Sequence, residues 1–83
     1  MLYVAANKGL VMSKEKYWIG TIGGKDDFGA TITTDFVDGK TWNGPWAIMA
    51  PSTWKRQGCG KLGLGFGQWY RKQADGRWLK VEG

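Results

Sequence analysis

A chain of 83 residues with one cysteine, Cys59, and no histidine lacks the partner for an internal disulfide and the roughly four Cys or His ligands of a closed zinc site. A chain this short buries only about 60% of the surface its unfolded form exposes, so large side chains must supply the core, and six tryptophans meet that need. The net charge of +5 is confined to residues 45–83, where Lys55, Arg56, Lys61, Arg71, Lys72, Arg77 and Lys80 face only Asp75 and Glu82; residues 1–44 are balanced. That asymmetry points toward a polyanion or an acidic protein partner, with a solvated surface as the plain alternative.

The opening MLYVAANKGLVMSKEK has no basic region ahead of an apolar run, and no stretch is long enough to span a bilayer. The expectation is a cytoplasmic protein of one domain, 1–83, with no membrane association. Leu2, Val4 and Leu10 are compatible with an edge strand. KYWIGTI, residues 16–22, is β-branched and aromatic and reads as a strand; GGKDD after it reads as a turn. GATITTDFV alternates, placing Ala30, Ile32, Thr34 and Phe36 on one face of a half-buried strand. Asp38-Gly39 carries a strong hairpin signal.

Pro51 suits the first position of a helix, Lys55 and Arg56 the last turn, and Gly58 the left-handed position beyond its end, so a helix is expected over about 51–57. Trp46, Met49 and Trp54 recur at helical spacing and are assigned to the core. From Gly60 the pattern alternates again, with Leu62, Leu64, Phe66 and Tyr70 on one side and Gly63, Gly65, Gly67 and Trp69 on the other. Glycine on one face of a strand admits close approach by a backbone or a flat ring, and a glycine-rich strand edge would invite pairing into a homodimer. QADGRW closes a hairpin. With Asp75-Gly76 as a two-residue turn, Tyr70 falls opposite Val81, Arg71 opposite Lys80 and Lys72 opposite Leu79. The fold class is therefore α+β: a small β-rich domain in which an antiparallel meander and a C-terminal hairpin pack on one short helix. Its buried set is Trp18 or Ile19, Ile32, Phe36, Trp46, Trp54, Leu64, Phe66 and Tyr70.

Catalytic signals are weak. GCGKLG has the spacing of a dinucleotide fingerprint, but it follows a helix and leads into a strand, the reverse of the order that cradles a pyrophosphate. Cys59 has no histidine to serve as its base. Asp26-Asp27 read as turn residues rather than an acid/base pair or a metal site. No catalytic residue, metal or cofactor is expected. The hairpin offers more. In the register above, Trp69, Arg71, Trp78 and Lys80 share one face, and rings interleaved with cations are what single-stranded nucleic acid binding uses. Lys61, Lys55 and Arg56 extend the basic region. The competing reading is that these rings pack on the aliphatic stems of Arg71 and Lys80 and only stabilise the hairpin.

GPWAIM, GCGKLGLGFGQWY and KQADGRWLKVEG, spread over 44–83, resemble a group of small proteins of bacteriophages, prophages and other mobile elements to which no activity is attached. Several members of that group carry a Met-Cys-x-x-Cys knuckle after the Trp-Ala pair. Here the segment reads Met49-Ala50-Pro51-Ser52-Thr53, so a metal knuckle does not carry over. The resemblance implies a mobile-element setting and a compact fold. The leading expectation is a non-enzymatic accessory protein that binds nucleic acid through its basic, aromatic C-terminal half. The alternatives are an interaction module or inhibitor directed at an acidic host protein, and a small-ligand binder with a tryptophan-lined pocket.

Overall fold

The computed structural model describes residues 15–83. The segment holding Leu2, Val4 and Leu10 lies outside the described residues. Four strands, β1 (Asp35–Lys40), β2 (Trp46–Met49), β3 (Gly67–Lys72) and β4 (Trp78–Glu82), form an antiparallel sheet in the order β2-β1-β3-β4. One helix, α1 (Pro51–Gln57), follows β2 directly. Among the described residues the expected α+β class, an antiparallel sheet with one short helix, is what the chain adopts.

The helix occupies the expected residues. Pro51 opens it, Lys55 and Arg56 lie in its last turn, and its first backbone bond runs from Trp54 N to Ala50 O at 2.9 Å. Gly58 serves differently from expectation: its φ is −77°, not left-handed. What it supplies is space, since a Cβ there would stand 2.2 Å from the Trp54 ring. Gly39 does the same from below, where a Cβ would stand 2.9 Å from that ring. Trp54 therefore lies directly on glycine backbone.

That packing corrects the hairpin expected at Asp38-Gly39. Both residues are interior to β1, Asp38 paired with Ile48 and Gln68, and Gly39 with Ala47 and Gly67. The turn to β2 falls instead at Thr41–Pro45. There the Thr41 hydroxyl donates to Pro45 O at 2.6 Å, and Gly44, at φ +117°, supplies the left-handed residue. Tertiary packing outweighs local turn preference: Phe36 and Val37, on opposite faces of β1, are both fully buried, so this central strand is not the half-buried one its alternation suggests.

The face carrying Phe36 holds an aromatic cluster. Phe36 stacks on Tyr70 with centroids 5.0 Å apart, meets Trp78 edge-on at 5.0 Å, and Trp18 meets both Phe36 and Tyr70 edge-on at 5.4 and 5.5 Å. Such pairs contribute about 0.5–1.5 kcal/mol each beyond the area they bury. Ile32 and Ala50 complete the cluster, with Ile22, Ala30 and Ile48 packed around it. The opposite face buries Val37 and Met49, with Thr53 of α1 also fully buried.

Other expectations need correction. KYWIGTI makes only a single bridge, Tyr17 to Leu79, flanked by bonds from Trp18 N to Trp78 O and from Lys80 N to Lys16 O. This short pairing covers the outer edge of β4. Trp18 turns into the core while Ile19 is left 93% exposed. Trp46 is exposed because it sits on β2, whose alternation buries Met49, and not on a helix. Leu64, 94% exposed, lies in the turn before β3, which begins only at Gly67. That strand is interior, hydrogen-bonded to β1 and β4, so its glycine offers no open edge to a second copy.

Asp26 joins the loop to the sheet and helix. Its carboxylate accepts from Phe28 N (2.9 Å) and Ala30 N (2.8 Å) on one oxygen and from Ala50 N (2.7 Å) on the other. Desolvation works to raise its pKa, but these amides outweigh it and hold the group below its ordinary value; the neighbouring Thr53 hydroxyl falls outside hydrogen-bond geometry. Asp27 accepts from Ile48 N at 2.8 Å and so binds the free edge of β2. Replacing Asp26 by Ala strands buried amide donors, and urea denaturation is expected to show a loss of about 3 kcal/mol. The sign with pH follows from the lowered pKa. Asp26's contribution is complete above its unfolded value of about 3.9 and disappears as pH falls through the lower folded value. The Asp26→Asn variant should lose less stability than wild type on acidification below about pH 4.

Candidate nucleic-acid interface

The turn between β3 and β4 decides which side chains share a face. Gln73 N donates to Arg77 O at 2.7 Å and Gly76 N to Gln73 O at 2.9 Å, with Gly76 at φ +88°. The loop thus contains Ala74, Asp75 and Gly76, one residue more than a two-residue turn, as in three-residue hairpins that close on a left-handed glycine. One extra residue moves the whole register: Tyr70 pairs with Lys80, Arg71 with Leu79 and Lys72 with Trp78. Since a slip of one exchanges the faces, Trp69 and Arg71 lie on one side of the sheet, and Trp78 and Lys80 on the other. The expected four-residue face is divided.

Arg71 consequently meets a carboxylate, not a lysine. Asp35 is its partner across β1–β3, and Arg71 donates to Asp35 Oδ2 from Nη2 at 3.0 Å and from Nε at 3.1 Å. The Trp69 indole N–H donates to the same oxygen at 2.6 Å. Desolvation pushes Asp35 upward, yet the bonds from Arg71 and Trp69 prevail and hold its pKa below the usual carboxylate range. The Arg71 guanidinium is raised in turn by its hydrogen bond to Asp35. The arrangement fixes the plane of the Trp69 ring and neutralises the nearest cation.

Trp69 then forms one wall of a groove of about 420 Å³ between β3 and α1. Trp54 forms the other, Pro51 and Ser52 complete the lining, and Lys55 borders it. Arg56, next along the helix, is exposed, and its Nη1 donates to Ser52 O at 3.2 Å. Trp69, Lys55 and Arg56 of the sequence-derived residues are therefore brought together, with Arg71 adjacent but paired. Trp54, expected in the core, is half-buried: the close glycines at 39 and 58 seat its ring against the sheet, and the ring also lines the groove. Nothing in the local sequence marks those glycines as its seat.

The remaining residues lie elsewhere. Trp78 packs edge-on against Phe36, with Lys72 Nζ 5.7 Å from its ring centre. Lys80 Nζ donates to Gly83 O at 3.3 Å. Lys61 rests over the Phe66 ring at 4.7 Å. The ring-on-stem packing expected of Arg71 and Lys80 is not what forms among the described residues: Lys72 takes the Trp78 ring and Lys61 the Phe66 ring, while Arg71 is bound to Asp35. A second patch has no counterpart in the sequence reading: Phe28, Trp42 and Trp46 expose their rings around a groove of about 340 Å³ whose lining, among the described residues, contains Asp27 and no Lys or Arg.

No protein-family model matches the chain, and no curated protein or solved structure matches it. Among the described residues, no group of three His, Cys, Asp or Glu side chains is placed to hold a metal ion, and no helix is long and apolar enough to cross a membrane.

The Asp35 cluster is testable without a ligand. Asp35→Asn keeps an acceptor for Trp69 and drops the charge facing Arg71; Asp35→Ala removes both. Melting temperatures should fall in the order wild type, Asn, Ala, and the Ala variant should shift the Trp69 indole proton upfield. Equal melting temperatures would show that this cluster does not secure β3 to β1.

Proposed function

We propose that this protein is a non-enzymatic accessory factor of a mobile element that binds single-stranded nucleic acid in the cytoplasm. The groove between α1 and β3 receives the bases. One observation carries the reading: two tryptophans, Trp54 and Trp69, wall an apolar groove bordered by Lys55 and followed by Arg56. Base-on-aromatic stacking contributes about 1–3 kcal/mol per base and is indifferent to sequence. In this reading the cations of the helix's last turn meet the phosphates of a strand leaving the groove, while Arg71, paired with Asp35, helps hold Trp69 through their shared carboxylate and does not grip the backbone.

A second reading rests on the exposed Phe28, Trp42 and Trp46. An aromatic patch without a lining cation suits a protein surface better than a polyanion. In that case the protein docks onto a host protein through this patch.

Fluorescence anisotropy of labelled single-stranded DNA, duplex DNA and RNA across a salt series separates the two. The expected result is preference for single strands, with log K falling against log salt by about 0.7 for each phosphate neutralised. The double variant Lys55→Ala/Arg56→Ala should flatten that slope by about 1.4, while Trp69→Phe weakens binding at every salt concentration. Absence of binding at low salt would remove the nucleic-acid reading and leave the aromatic patch as the site to pursue.

A further inference from the structure

We propose that the recess between the Trp18–Ile22 segment and the β3–β4 hairpin binds a small oxyanion of the phosphate class. It lies on the sheet face opposite α1, has a volume of about 360 Å³, and is separate from the Trp54–Trp69 groove. Its lining includes Trp18, Lys72, Arg77 and Trp78, with glycine backbone at Gly20 and Gly76.

The first observation is an unsatisfied donor. Trp18 Nε1 is buried and has no hydrogen-bond partner among the described residues. A buried donor left unpaired costs about 1–3 kcal/mol and calls for an explanation, an absent ion among them. The ring cannot turn away cheaply, because it is held edge-on between Phe36 and Tyr70. Beside the indole nitrogen stands Gly20, at φ +117°, where a Cβ would lie 3.6 Å from Nε1. The left-handed backbone is what calls for glycine there.

The second observation is charge. Lys72 and Arg77 both line the recess, Arg77 with part of its charge offset by Asp75, and among the described residues no acidic side chain lines it. Arg77 is stacked over the Tyr17 ring at 4.0 Å and gives its Nε to Asp75 at 2.9 Å. Asp75 holds the guanidinium through Nε and the Arg77 backbone N–H through its other oxygen, which leaves the two terminal nitrogens without a hydrogen bond among the described residues. Lys72 Nζ stays over the Trp78 ring. The polar side-chain groups lining the recess are thus the tryptophan indoles, the Lys72 ammonium, the Arg77 guanidinium and the Thr21 hydroxyl, with donors in excess of acceptors. A ligand that matches them carries negative charge and several acceptor atoms, which describes an oxyanion; charge-assisted bonds from Arg and Lys favour phosphate geometry.

The experiment is a titration of the full chain with sodium phosphate, followed by ¹H–¹⁵N spectra of the indole region. The Trp18 signal is identified by its loss in Trp18→Phe, and chloride at matched ionic strength is the control. The expected result is a saturable downfield shift of the Trp18 indole proton at millimolar phosphate, together with a rise in melting temperature as the bound state is populated. Lys72→Gln/Arg77→Gln, which keeps much of each stem on its ring, should weaken apparent affinity about tenfold or more. Lys55→Ala/Arg56→Ala should leave it unchanged, so this site and the groove on the other face fail or survive separately. A Trp18 signal that phosphate does not move, that chloride moves equally, or that still saturates at the same concentration in the Gln variant overturns the proposal.

Discussion

The Trp54 ring resting on the backbone of Gly39 and Gly58 sets the geometry on which the helix side of the molecule depends. A Cβ at either glycine would overlap the ring. With both absent, α1 approaches the central strand closely enough to bury Val37, Met49 and Thr53 completely. Gly67 continues the same logic: it pairs with Gly39, and a Cβ on it would meet the Gly39 Cα at 3.1 Å. The glycine-rich sequence is therefore divided in purpose. Gly58 and Gly67 admit close packing, whereas Gly60, Gly63 and Gly65 adopt left-handed backbone conformations in the connection that returns the chain to the sheet.

Asp26 fixes the other side. A short chain with no disulfide must hold a loop of about fifteen residues over the aromatic cluster, and one buried carboxylate does this by accepting bonds from its own turn and from the β2–α1 junction. Loop, sheet and helix then share one fixed point. The same residue anchors the start of α1 by binding the Ala50 amide, and Pro51, which has no N–H, removes one of the donors that the uncapped first turn would leave unpaired.

Much of the architecture was legible in the sequence, and the failures have particular causes. Pro51, the basic last turn and Gly58 marked the helix because capping and dipole effects are local. Asp75-Gly76 marked a hairpin for the same reason, but loop length was not legible: two- and three-residue turns both accept Asp-Gly, and only the Gln73–Arg77 pairing distinguishes them. That single residue decided the site, since it separated Trp69 and Arg71 from Trp78 and Lys80. Asp38-Gly39 failed in the opposite way. Its turn preference is local, whereas the demand for a glycine under Trp54 comes from residues about fifteen positions away. Alternation likewise suggested an exposed side for β1, because no pattern within a strand reports that a helix covers its other face.

The sheet also sorts the charges by what surrounds them. Of the basic residues in the second half, Arg71 and Arg77 have carboxylate partners, Asp35 and Asp75, and Lys61 and Lys72 lie over rings. The uniform excess of positive charge read from composition thus becomes two unlike surfaces. Beside α1, Lys55 and Arg56 border an apolar cleft, a setting that suits flat, extended ligands carrying separate charges. Over the aromatic cluster, Lys72 and Arg77 converge with a buried N–H on a polar recess, a setting that suits one compact charge. Lys72 shares the face of Tyr70 and Phe36, and so of Trp18, through its place on β3, and the three-residue hairpin brings Trp78 to that same face. Had the hairpin closed on two residues, Trp78 and Lys80 would have joined Trp69 and Arg71 on the helix side of the sheet, leaving Lys72 without the ring it lies over.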